Sequence, residues 1–411
     1  MFDKNILLHG INAQQRELPN YYVDYVKGNE NLFITFDAFG DEIIKLGGNR
    51  DPWGFRFLAQ KKGYSLLGIK IKQNDWYRKK DLHEFFRSVE FKHFVSKFKK
   101  VTLYGNSMGG YAALAFAEAI PDCTVITIVP QSTLDINKVP WETRFGIGRA
   151  QNWEGDFSDG AVGLRYAKEV TIIYDPFCKG DQLHVDRLIG NHVRLLKVPL
   201  IGHALCHYLN QMRILGTLVE RIANDELSND DFYQIAKVRR TLPRYFTQLA
   251  DRRKSHKLRK ACAERALSLK PTDLDAIELQ CRCLLHERKF LEVLILTENI
   301  LHEKGIQYAF EAYLELGKTK EATNLLTKFL DSSIHIRLPY LLKAIKFAST
   351  IYEFDIADQI MARTITQAPK DQKVLEMAEY IKNSRIETND FKAASGILQP
   401  VFGKNVYTAT N

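Results

Sequence analysis

The stretch VTLYGNSMGGYAALAFAEAI, residues 101–120, decides how the first half of the chain is read. An apolar run ends at Gly105, a serine follows two positions later, and an alanine-rich helical segment begins at once. Gly105-Asn106-Ser107-Met108-Gly109 fits G-x-S-x-G, and the strand–turn–helix setting is the one in which that pattern carries chemistry. Such a turn forces its serine into a strained backbone conformation, so the flanking positions must lack bulk. The hydroxyl is thereby lifted out of the sheet, above a helix amino terminus that favours developing negative charge. A serine serving only as an N-cap would need neither glycine.

An alcohol is inert until a base takes its proton, so a histidine must be found downstream. LLKVPLIGHALCHYL (195–209) reads as a strand, a short loop and Gly202-His203 leading into a helix. His203 is the candidate base; His207, one helical turn on, reads as structural. A carboxylate must then hold the imidazole in the right tautomer. The strand EVTIIYD (169–175) and the loop after it offer Asp175, Asp181 and Asp186. Asp175 ends the strand before Pro176, and Asp181 follows Gly180; Asp181 is the first choice and Asp175 the alternative, and either could instead cap the helix that starts near 182. Two backbone amides would be needed for an oxyanion, one from Met108 and one from Ala38 or Phe39 in DAFGDE (37–42). Asp37 fits that loop poorly, because a carboxylate beside an oxyanion is unhelpful unless turned away.

Outward from the serine, short β-branched runs alternate with helical segments up to about residue 220. Strands are expected at 5–10, 21–26, 31–36, 64–70, 100–105, 123–129, 169–175 and 192–198. The later ones are apolar almost throughout, as strands covered on both faces must be. KDLHEFFRSVEFKHFVSKF (80–98) and residues 109–120 read as helices between them. This alternation implies a mostly parallel sheet, with an antiparallel first edge turned by KGNEN (27–31). After residue 230 the rhythm becomes helical, in units of roughly 30 to 36 residues (266–301, 306–330, 338–371). The echo of LSLKPTD (267–273) in ITQAPKD (365–371) marks the repeat. The expected division is a catalytic domain over 1–225, a basic helical linker over 226–262, helical repeats over 263–400 and a flexible tail over 401–411.

Composition fits a globular chain: 411 residues, 45% hydrophobic and 26% charged, with six cysteines too scattered for a disulfide scaffold. Cys281-Arg-Cys283 is too short for a zinc knuckle and has no matching pair. The opening MFDKNILLHGINAQQ lacks a basic, apolar leader, and no window reaches the roughly 18 apolar residues of a membrane span, so a cytoplasmic protein is expected. Part of the net charge of +9 sits in 237–260, where ten Lys or Arg face one acidic residue, Asp251. That segment is either a solvated helical face or a patch for an anionic surface. No nucleic-acid motif accompanies it, and no metal cluster or dinucleotide fingerprint appears; no cofactor is expected.

In YGNSMGGYAA (104–113), YDPFCKGD (174–181) and IGHAL (201–205), in that order and each after a strand, residues 1–220 resemble an α/β-hydrolase domain of the serine esterase and acyltransferase kind. The resemblance implies the chain order Ser, acid, His, and favours Asp181, where Gly, Asp and then a branched residue close the loop. The carboxy-terminal half is similar to a degenerate tetratricopeptide array, which implies a protein-binding surface. Loops at the strand ends would line the cleft: Lys72, Asn74, Trp76 and Tyr77 after one strand, Gln131, Trp141 and Arg144 after another. Read together they suggest a polar, aromatic-floored site for an O-acyl ester, with glycan esters of bacterial surface polysaccharides one setting for such domains. Water as acceptor would make an esterase and a sugar hydroxyl an acyltransferase. The contrasting reading is a silent hydrolase-like scaffold whose repeats dock a partner.

Overall fold

The structure is a computed structural model that describes the backbone of residues 1–300, 302–331 and 336–395. The expected tail at 401–411 lies outside the described residues. Two compact units are present, Met1–Gln248 and a second beginning at Leu249.

The first unit is built on nine strands: β1 (Lys4–Leu8), β2 (Ile11–Glu17), β3 (Tyr21–Val26), β4 (Asn31–Phe36), β5 (Ser65–Ile71), β6 (Lys100–Asn106), β7 (Thr124–Ile128), β8 (Glu169–Tyr174) and β9 (Val193–Lys197). Their order across the sheet is β1-β2-β3-β5-β4-β6-β7-β8-β9. The first three strands form an antiparallel meander, β3 joins β5 antiparallel, and every pair from β5 to β9 is parallel. The sheet is therefore mostly parallel, with an antiparallel edge. After β5 the chain returns to the other side of β4, so β4 and β6 flank the point where strand order reverses. Crevices open at the carboxyl ends of strands at such a point.

β5 and β7 are buried at every residue, which explains why their sequences are mostly apolar, with Lys70 of β5 the one charged exception. β2 was not expected, because INAQQRE offers little apolar alternation. It is recruited by polar pairing instead. Gln15 Nε2 donates to Asp24 Oδ1 across the β2–β3 pair at 2.7 Å. Asp24 in turn pairs with Lys70 of β5, both fully buried, and the Lys70 ammonium donates to the carbonyls of Gly48 at 2.5 Å and Arg50 at 3.0 Å.

Two further expectations are corrected. The antiparallel edge is present, but KGNEN does not close a hairpin: it joins β3 to β4, which β5 separates. The tight turn is His9-Gly10, with φ of 46° and 82°, between the paired residues Leu8 and Ile11. Positive φ at both central residues is what a two-residue hairpin loop demands. The single helix expected over 80–98 is two, α1 (Lys80–Arg87) and α2 (Val89–Val95). Ser88 breaks it by leaving helical geometry and accepting from the Phe91 amide at 3.1 Å as an N-cap.

The remaining helices that matter to the site are α3 (Met108–Ala115), α4 (Lys179–Val185) and α5 (Leu205–Gln211). Residues 226–248, read as linker, belong to the first unit; Leu227, Phe232, Ala236 and Leu242 are buried in its core.

The described residues of the second unit are helical: α6 (His256–Leu269), α7 (Leu274–His286), α8 (Phe290–Thr297), α9 (Glu303–Glu315), α10 (Thr319–Asp331), α11 (Leu338–Thr350), α12 (Phe354–Gln367) and α13 (Gln372–Ser395). Among the described residues no helix is long and apolar enough to cross a membrane.

Lys70→Met strands the Asp24 carboxylate without its cation inside the sheet. It should cost about 3–5 kcal/mol in a urea titration, and the double variant Asp24→Asn/Lys70→Met should recover most of the loss.

Candidate active site

Ser107 sits at φ 53°, ψ −114°, between the end of β6 and the start of α3. The glycine requirement is steric. A Cβ on Gly105 would enter the backbone of Gly109, and one on Gly109 would strike the carbonyl oxygens of Phe36 and Asp37 at the end of β4. The helix amino terminus therefore lies directly on the switch point of the sheet. The Ser107 side chain makes no capping bond to α3.

Its hydroxyl meets His203 instead. Ser107 Oγ and His203 Nε2 are 3.0 Å apart, and His203 Nδ1 lies 2.9 Å from both carboxylate oxygens of Asp181. Burial works against the Asp181 charge, but the hydrogen bond and charge of His203, followed by those of Arg144, outweigh it. They hold the carboxyl below its ordinary 3.8. An ionised Asp181 can only accept, so Nδ1 carries its proton and Nε2 is left to accept from the serine. His207 points elsewhere, with its ring edge-on to Tyr208 at 5.3 Å.

Both acid candidates are used, in different ways. Asp181 is buried at the start of α4 and touches the imidazole. Asp175 does not: its Oδ2 accepts from the amides of Ile201 at 2.7 Å and Gly202 at 2.6 Å, and its Oδ1 from Phe177 at 2.8 Å. It grips the backbone of the loop that carries His203. That loop also bends through Leu200 at φ 73° and Gly202 at φ 83°.

At the other side of the serine, α3 opens with Met108 and the loop after β4 carries Ala38 and Phe39. Asn74 Oδ1 accepts from the Gly40 amide at 3.1 Å and Asn74 Nδ2 donates to Asp41 at 2.7 Å, pinning that loop. Asp37 is turned into the sheet, where it accepts from Arg50 at 2.5 Å and from the Ile71 amide at 3.0 Å. The carboxylate is thus kept away from Ser107.

Most residues expected to touch substrate form an inner support layer. Lys72 donates to Glu17 at 2.9 Å and to the Leu18 carbonyl at 2.8 Å, tying β5 to the β2–β3 connection. Trp76 and Tyr77 are buried, so neither ring can stack on a sugar. Tyr77 Oη donates to the Asp37 carbonyl at 2.8 Å, and Trp76 Nε1 donates to Gln131 Oε1 at 3.2 Å. Gln131 is buried and reaches Ser107 Oγ. Phe39, 43% exposed, and Trp141, 36% exposed, are the aromatic candidates that face solvent.

Arg144 is likewise committed, to carboxylates. Its Nη1 donates to Asp181 at 2.8 Å, while Nε and Nη2 fork onto Glu142 at 3.0 and 2.6 Å. Glu142 also faces His184 Nε2 at 3.1 Å, and the Ser132 amide donates to His184 Nδ1 at 3.1 Å. With Nδ1 accepting, Nε2 carries the proton and donates to Glu142. Burial opposes the Glu142 charge, yet the hydrogen bonds of His184 and Arg144 and the Arg144 charge hold it down at about 2. The sequence reading passed over Glu142 and His184. Each stands close in sequence to a candidate residue, Arg144 or Asp181, but nothing in a single sequence shows that positions 142 and 184 meet.

A cavity of about 610 Å³ lined by Phe2, Tyr25, Ser65, Phe94 and Phe98 lies beside the starts of β4 and β5, and touches none of these groups.

No protein-family profile matches the chain, and no curated protein matches it in sequence. Among solved structures it is similar to the capsule O-acetyltransferase of Neisseria meningitidis serogroup A, at 17% identity over 52% of this chain and 96% of that one, with a TM-score of 0.35. It is similar to the fluorophosphonate-binding serine hydrolase FphF of Staphylococcus aureus, at 14% identity over 52% and 96%, with a TM-score of 0.35. Est1E from Butyrivibrio proteoclasticus gives 14% identity over 54% and 100%, with a TM-score of 0.32.

The pull on Glu142 sets a pH dependence. Because its pKa is depressed, its stabilisation is complete above about 4.5 and is lost as pH falls toward 2. Glu142→Gln should lower stability at pH 7 by on the order of 2 kcal/mol, and the deficit should shrink as melting is followed from pH 7 to pH 3.

Proposed function

We propose that the chain is a serine enzyme of the esterase or acyltransferase kind, working through an acyl-enzyme on Ser107. The observation that carries this reading is the unbroken line from Ser107 Oγ to His203 Nε2 at 3.0 Å and from His203 Nδ1 to Asp181 at 2.9 Å, on a turn whose geometry serves no cap. His203 takes the hydroxyl proton as Oγ adds to an ester carbonyl, and returns it to the departing alcohol. Asp181 keeps the imidazole in the accepting tautomer and stabilises the imidazolium. The amides of Met108 and of Ala38 or Phe39 are the proposed donors to the oxyanion, at a helix end that favours negative charge.

A polar O-acyl ester, such as that of a glycan, is the proposed substrate class. Its support is narrower than the sequence suggested and rests on the exposed rings of Phe39 and Trp141. The second unit is proposed to be a tetratricopeptide-like array that binds a protein. In support, each of its helices packs on the next, and α7, α9, α11 and α13 also stack in succession, as helical hairpins of a solenoid do.

The test is labelling with a fluorophosphonate probe. Wild type should label stoichiometrically, Ser107→Ala and His203→Ala should not label, and Asp181→Asn should label about 10³–10⁴-fold more slowly. Undiminished labelling of Ser107→Ala would sink the proposal.

A further inference from the structure

One contact to the Ser107 hydroxyl is left unused by this reading. Besides His203, Oγ receives a hydrogen bond from Nε2 of the fully buried Gln131 at 3.0 Å. Which end of the amide faces the serine is decided by its other neighbour. Gln131 Oε1 accepts from Trp76 Nε1 at 3.2 Å, and an indole N–H can only donate. The carbonyl end must face Trp76, so the NH2 end faces Ser107.

Three strand ends converge to make this contact, each through an uncommon backbone conformation. Ser107 follows β6 at φ 53°, Trp76 and Tyr77 follow β5 at 51° and 56°, and Val129 follows β7 at 42°, two residues before Gln131. Positive φ is a genuine outlier for bulky and β-branched residues. Their surroundings hold them there. The Tyr77 amide donates to Asp75 at 2.9 Å, Asp75 accepts from Tyr21 Oη at 2.8 Å, and the Val129 amide donates to the Ile173 carbonyl at 2.9 Å. Strain gathered around one atom points to a task at that atom.

We propose that Gln131 is a catalytic donor to Ser107 Oγ that speeds breakdown of the acyl-enzyme, and that Trp76 is the positioning residue that fixes the donating end of the amide. The inference rests on Ser107 being the nucleophile. In the acyl-enzyme, Oγ is an ester oxygen whose lone pair is shared with the carbonyl, and it accepts weakly. Water or an alcohol, losing its proton to His203 Nε2, adds to the acyl carbon and forms the tetrahedral intermediate. On collapse the C–Oγ bond breaks, its electron pair passes to Oγ, and Oγ takes the proton from His203. Negative charge grows on Oγ in that step, so the Gln131 bond strengthens between ground and transition state, which is the condition for catalysis. In acylation the same bond already exists to the starting hydroxyl, and less is gained.

The experiment uses the full chain as wild type, Gln131→Met, Trp76→Phe and the double variant. Gln131→Met keeps length and volume but has no N–H. The fluorophosphonate labelling rate reports attack by Oγ, and intact-mass detection of acylated protein during p-nitrophenyl acetate turnover reports its release. Gln131→Met should label within about threefold of wild type, while release slows about 10- to 100-fold and acyl-enzyme accumulates. Trp76→Phe should slow release in part, and should add nothing to Gln131→Met. The proposal is overturned when labelling and release fall by the same factor, when neither changes, or when Trp76→Phe slows the Gln131→Met protein further. A wild type that takes no probe removes the nucleophile reading itself, a separate result.

Discussion

The close approach of α3 to the end of β4 is the constraint from which the rest of the site follows. Two bare backbones touch there, at Gly105 against Gly109 and at Gly109 against the Phe36 and Asp37 carbonyls. That contact forces the chain through positive φ at Ser107 and sets a helix amino terminus over the gap where strand order reverses. Every other member of the site is arranged around a hydroxyl whose position is fixed by backbone alone. Side chains then need to supply only orientation: Asp175 for the loop of His203, Asn74 for the loop of Ala38 and Phe39, Trp76 for the amide of Gln131.

Charge in this unit is handled in closed groups. Asp24 with Lys70, Asp37 with Arg50, and Glu142 with Arg144 and His184 each place a carboxylate against a matched donor away from water. An unpaired charge in such places would be costly, so each group also fixes the register of the elements that it joins. Asp181 joins the last of these groups through Arg144 and, like Glu142, faces one arginine and one histidine. Arg144 and His203 share the same carboxylate oxygen.

What the sequence made legible was local. The glycines around Ser107 and the largely apolar strands state their purpose within a few residues, while the order of Ser107, Asp181 and His203 was legible only through the resemblance that implies it. The polar strand β2 did not, because its pairing is decided by Asp24 and Lys70 on other strands. Nor did the insertion of β5 between β3 and β4, since short strands give no sign of their neighbours. Trp76, Tyr77 and Arg144 lie at strand ends, as a cleft lining should. Their burial or ion pairing depends on Tyr21, Asp75, Glu142 and Asp181, none of which is adjacent in sequence to all of its partners. The loop pattern put Asp181 ahead of Asp175, and the distances show what each of them touches.

The imidazole hangs from β9, which has β8 as its one neighbour and forms the border of the sheet. Arg194 anchors this border by bonds to Asn229 and the Leu227 carbonyl, both 2.7 Å. Border strands open locally at lower free energy than a sheet centre. A brief detachment of β9 would loosen the chain that leads to His203, against the hold of Asp175 on Ile201 and Gly202, while Ser107 stays at the end of the protected strand β6. His203 is therefore tied to a less protected part of the sheet than Ser107.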